Sequence, residues 1–104
     1  MKLTHLALKD FNNWCLNKGI SENYKPKEYS LDVANAMIYS VYVEFFDSSS
    51  IIIGITNLGK LYGYSVNDLI ETGKRDLHYG KYFLNRNEAM SAAIKKANKI
   101  YNNE

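Results

Sequence analysis
Cysteine, proline, histidine and arginine are almost missing from this chain, and each scarcity removes a class of function. The one cysteine, Cys15, has no partner for an internal disulfide. It falls on the apolar side of the first expected helix with no base identifiable beside it, so it reads as a buried hydrophobe and not as a nucleophile. His5, His78 and Cys15 show no ligand spacing, and no metal is expected. His78 lies next to Tyr79 in a strand-like stretch and reads as an ordinary strand residue, so no catalytic residue is assigned. Glycines at 54, 59, 63, 73 and 80 build neither a GxGxxG fingerprint nor a phosphate loop ahead of a helix, and no cofactor is expected. Apolar runs such as Ile51–Ile53 fall far below the roughly 20 residues of a spanning helix, and the first residues lack the apolar centre of a signal peptide. No membrane partner is expected, and the compartment reads as cytoplasmic. The chain is therefore read as non-enzymatic.

What remains is an ordinary globular composition. The 104 residues are 46% hydrophobic and 23% charged, which argues against disorder and coiled coil. One domain spanning residues 1–104 is expected, with roughly two-thirds of the unfolded surface buried. Net charge is only +2, too small for a polyanion-binding role to be inferred from charge alone. The charge is uneven: residues 1–59 carry five lysines against six acids, and residues 60–104 carry eight lysines or arginines against five acids. Eleven lysines against two arginines, with twelve asparagines, nine isoleucines and nine tyrosines, match AT-rich codons. The source is read as an AT-rich genome, such as a low-GC bacterium or its phage.

The last quarter carries the most consistent local signals. Asn85 and Glu88 have capping-box spacing, and a helix over 86–101 then places Met90, Ala93, Ile94, Ala97, Ile100 and Tyr101 on one face. A first helix over 4–18 starts at Thr4, ends at Gly19 and lines up Leu3, Ala7, Leu8, Phe11, Trp14 and Cys15. The segment 20–29 contains the only proline, Pro26, and reads as a surface connection. A short helix is expected at about 31–37. From Tyr39 the period shortens to two, so strands are placed at about 39–46, 51–56, 61–66 and 77–83. Between the last two, Asn67 is expected to cap a short helical turn. The expected fold class is α+β: a small antiparallel sheet of three to four strands packed on a long C-terminal helix, with an N-terminal amphipathic helix.

Candidate sites follow from side-chain type. Nine tyrosines exceed what a core of this size buries comfortably, since each buried hydroxyl needs a partner. Tyrosine supplies rigid contact area at interfaces, so Tyr42, Tyr62, Tyr64 and Tyr79 are the expected partner-binding residues. The expected partner is a larger protein. The reading extends to a phage or mobile-element inhibitor of a host or defence nucleic-acid enzyme. The alternative is nucleic-acid binding by Lys74, Arg75, Lys81, Arg86 and Tyr79, with Tyr82, Lys95 and Lys99 nearby. With so few arginines, such binding is expected to tolerate sequence and to weaken with salt. The oligomeric state is left open.

Two resemblances add to this. From Gly54 to Tyr101, the stretches GKLYGYSV and GKRDLHYGKYFLNRNEAMSAAIKKANKIY resemble the AP2 or integrase-type DNA-binding domain, with Gly80, Phe83, Glu88, Ala89 and Ala92 at its strand-to-helix positions. That resemblance implies three antiparallel strands laid on one helix and a nucleic-acid-reading sheet. The middle strand here carries Tyr62, Gly63, Tyr64 and Ser65 where the family uses arginine and tryptophan. In addition, VYVEFFDSSSIIIGITN resembles the opening hairpin of GIY-YIG nucleases, with Tyr42 in the place of the first tyrosine. Ile52 or Ile53 stands at the second, and Ala93 where a glutamate is expected, so this resemblance implies a degenerate nuclease.

Overall fold
In the computed structural model, residues 1–20, 31–69 and 76–104 are described. Helix α1 (His5–Lys18) ends at Gly19, whose φ of 72° is left-handed. There the Gly19 N–H donates to the Leu16 carbonyl at 3.2 Å and the Ile20 N–H to the Cys15 carbonyl at 2.9 Å. This paired closure is the Schellman arrangement, and glycine adopts it without the Cβ penalty. Helix α2 (Leu31–Ser48) stops where the Ser48 hydroxyl donates to the Phe45 carbonyl at 2.6 Å. Ser50, at φ 66°, then turns the chain into β1 (Ile51–Asn57). A tight turn at 58–61, closed by the Leu58 N–H on the Leu61 carbonyl at 2.8 Å, leads into β2 (Tyr62–Asp68). The Asn57 side chain accepts the Gly59 N–H at 2.9 Å and holds that turn. Strand β3 (Asp76–Tyr79) and helix α3 (Arg86–Tyr101) complete the order.

The fold is α+β, with a three-stranded antiparallel sheet in the order β1-β2-β3. Ile53 faces Val66 and Ile51 faces Asp68 across the first ladder. One face of the sheet is apolar, through Ile51, Ile53 and Val66, and α2 and α3 cover it. Helix α1 packs on those two helices. Its Phe11 meets Tyr42 edge-on at 5.0 Å and Phe45 edge-on at 5.4 Å between ring centroids, geometry that suits the aromatic quadrupole. Ala93 and Ala97 of α3 are fully buried in the core. Asn85 accepts the Glu88 N–H at 2.8 Å, as its capping position predicts.

Several expectations are corrected. The stretch expected as a strand over 39–46 is the second half of α2, so Tyr42 lies on a helix and not in a hairpin. Its alternation misleads because the segment is apolar on nearly every side: Ile38, Tyr42, Phe45 and Phe46 also have helical spacing, and all four are buried. Asn67 caps no helical turn, since β2 runs through it to Asp68. The expected strand over 77–83 ends early, with β3 stopping at Tyr79 and a lone bridge joining Tyr62 to Phe83. Leu8, lined up with the apolar arc of the first helix, is exposed. The remainder of the segment 20–29 and Lys74 and Arg75 lie outside the described residues.

Candidate interaction surface
The end of the sheet beyond Gly80 is shaped by one extra residue. Ser65 pairs with Tyr79, so an unbroken ladder would set Tyr62 opposite Tyr82. Instead Tyr62 and Phe83 exchange two backbone hydrogen bonds of 2.8 Å each. The inserted residue makes a bulge, which re-aims the side chains that follow it. Phe83 turns inward and stacks on Tyr64, with centroids 6.4 Å apart and rings inclined by 28°. Tyr82 turns outward over Gly63, where an added Cβ would lie 3.1 Å from the tyrosine ring. Tyr82 remains 61% exposed and Leu84 79%. Lys81 and Arg86, on either side, are exposed as well.

The expected tyrosine face is thus only partly assembled. Tyr42 is 5% exposed and packs in the core, so it presents no surface to a partner. Tyr62 and Tyr64 are half-buried, and Tyr64 is held under Phe83. Tyr79 is placed opposite Ser65, and its side chain lies outside the described residues, as does that of His78. Of the cationic set, Lys81 and Arg86 fall on the same short segment as Tyr82. Sequence reasoning missed Leu84. It precedes the Asn85 cap, the position from which an apolar residue ordinarily staples down onto the first helical turn. Here it points to solvent, and local spacing alone contains no signal for that.

A groove of about 500 Å³ opens between α2 and α3, lined by Ala36, Tyr39, Ser40, Val43, Arg86 and Met90 among others. Burial pushes the Tyr39 phenol above its ordinary value, and the nearby Arg86 guanidinium draws it partly back. The groove therefore offers a neutral phenol, a hydroxyl and one cation over an apolar floor. These groups can hold a small anionic or polar side chain, but they include no activated nucleophile and no base. Burial likewise raises the Cys15 thiol, which keeps it protonated and unreactive. Among the described residues, no three histidine, cysteine or carboxylate side chains gather to hold a metal ion, and no helix is long and apolar enough to cross a membrane. Set against protein-family models, curated proteins and solved structures, the chain matches none of them.

Proposed function
We propose that this is a small non-enzymatic binding protein that acts by occupying a surface of a larger protein partner. The observation that carries the reading is the 81–86 segment, where Tyr82 and Leu84 stand out from the end of the sheet between Lys81 and Arg86. An exposed aromatic and aliphatic pair flanked by cations has the make-up of an interface anchor, in which tyrosine contributes contact area at little entropic cost. Within this reading, a phage or mobile-element factor that inhibits a host or defence nucleic-acid enzyme is the narrower assignment. It rests on small size and AT-rich composition. The test is a pull-down from lysate of the source organism, after nuclease treatment, with the native chain and the Tyr82→Ala, Leu84→Ala double variant. The native chain is expected to retain a defined protein that the double variant loses at least about tenfold, as for a central anchor pair. Equal retention by both removes this surface from the reading.

A second reading, a DNA- or RNA-binding module of AP2-like form, is favoured by the same segment, because Lys81 and Arg86 flank an aromatic ring able to stack on a base. The resemblance implies three antiparallel strands laid on one helix; the sheet here has three antiparallel strands, and two helices, α2 and α3, cover it. A gel-shift titration at low and high salt separates the two. Binding at low salt that fades steeply as salt rises, and weakens in Lys81→Ala, Arg86→Ala, supports the nucleic-acid reading. No shift at low micromolar protein in low salt removes it.

A further inference from the structure
We propose that the free edge of β1 pairs with β1 of a second copy, antiparallel about a two-fold axis at Gly54, so that two sheets join into one. The hydrogen bonds at the two ends of the hairpin establish which backbone groups are available. Leu58 donates to Leu61 at 2.8 Å and Leu69 donates to Ser50 at 2.9 Å, so the even-numbered residues of β1 are the ones bonded to β2. Ile51, Ile53, Ile55 and Asn57 accordingly aim their N–H and C=O groups at the open side, where no strand pairs among the described residues. Exposed edges are ordinarily guarded by a charge, a proline, a bulge or extreme shortness. The seven residues IIIGITN have none of these. The opposite edge, β3, is four residues long and leads into the bulge.

The strand is also complementary to itself. Its midpoint is Gly54, so the symmetric register sets Ile51 opposite the second copy's Asn57 and Ile53 opposite the second copy's Ile55. Every outward-facing residue then finds a partner, giving about eight backbone hydrogen bonds, two for each bonded pair. On the covered face, Ile53 and Ile55 of the two copies meet as β-branched cross-strand pairs. On the open face, Ile52 meets Thr56, and Gly54 meets Gly54 in the close, non-hydrogen-bonded position where Cα atoms approach to about 4.5 Å. No charged side chain lies anywhere on the strand, so nothing repels at the axis. The pairing extends past the strand ends, because Leu58 of one copy falls opposite Ser50 of the other, beside that copy's exposed Leu69.

A contact made through one strand is small, so association is expected in the micromolar range. Sedimentation equilibrium from roughly 1 to 500 µM chain spans that range, and the mass is expected to rise from 12.0 kDa toward twice that value. The register supplies the decisive variants. In Ile52→Lys, Thr56→Lys, lysines face each other across both pairs, and dissociation is expected to rise at least about tenfold. Changing the second substitution to give Ile52→Lys, Thr56→Glu sets opposite charges there and restores the dimer. Residues 52 and 56 both face solvent on the open side, and unchanged circular dichroism confirms that each variant is folded. Independently of these, Gly54→Cys is expected to form an intermolecular disulfide under mild oxidation, whereas Thr56→Cys is not, since position 56 faces position 52. A chain that stays monomeric throughout, an unaffected lysine variant, or linkage at 56 equal to that at 54 overturns the proposal.

Discussion
Gly80 shows how a single missing side chain sets the local structure. A Cβ built there would overlap Cε1 and Cζ of the Tyr64 ring. The ring is held in place, because Phe83 stacks on it and it packs against the core while half-buried. Gly80→Ala must therefore displace Tyr64 or open the bulge, and is expected to cost about 1–3 kcal/mol, the range for an overpacked site. Urea denaturation measures it, and a loss below about 0.5 kcal/mol would show that the ring moves freely. Sequence reasoning placed Gly80 in a strand-to-helix pattern by resemblance. It supplied no reason for glycine there, since the reason is a ring from another strand.

At the scale of the element, α1 is capped by residues at the far end of the chain. Thr4 occupies the N-cap position but makes no side-chain cap of its own. The Asn102 side chain accepts the Ala7 N–H at 2.8 Å and donates to the Thr4 carbonyl at 2.9 Å. Asn98, only 6% exposed, accepts the Thr4 N–H at 2.9 Å and donates to the Thr4 hydroxyl at 2.9 Å. Asn98 on the last turn of α3 and Asn102 at its C-cap thus satisfy donors that a free helix end leaves unpaired. Asn98→Ala is expected to cost about 1–3 kcal/mol, because it leaves a partly buried amide unsatisfied. Asn102→Ala is expected to cost about 1 kcal/mol, the usual loss of a cap. Amide exchange at Ala7 should quicken in the second variant while α2 keeps its protection. Unchanged exchange there would mean that water replaces the cap without loss. Sequence spacing identified Thr4 and the helix start, but not that the cap comes from α3.

At the scale of the whole molecule, three buried or half-buried groups among the described residues link stability to alkaline pH. Burial raises the Cys15 thiol, the Tyr39 phenol and the Tyr101 phenol, and Tyr101 is raised further by its hydrogen bond to the Asp10 carboxylate, to which it donates at 2.7 Å. A group whose folded value lies above its unfolded one contributes stability that is complete below the unfolded value and is lost as pH rises through the folded one. The ordinary values are 9.0 for the thiol and 10.0 for the phenols, so stability is expected to hold to about pH 9 and to fall beyond it. Tyr101→Phe keeps the ring packing, costs about 1 kcal/mol near neutral pH through the lost hydrogen bond, and flattens the decline above about pH 10. Denaturation at about pH 7 and about pH 10.5 tests this. An equal decline in both proteins would show that Tyr101 carries none of it.

By itself the sequence determined the parts whose signals are local. The Gly19 stop, the Asn85 cap, a turn between the strands expected at 51–56 and 61–66, and the apolar face of α3 all rest on residues within a few positions of one another. Helix or strand over 39–46 was not determined, because an apolar segment satisfies both periods at once. Tertiary packing chose the helix, since only a helix brings Ile38, Tyr42, Phe45 and Phe46 together onto α1 and the sheet. The candidate surface divides in the same way. That tyrosines would meet solvent was legible from their number. Tertiary structure decided which ones, by burying Tyr42 beside Phe11 and inserting a residue after Gly80 that turns Tyr82 outward. Both depend on contacts between residues far apart in the chain, and local spacing carries no record of them.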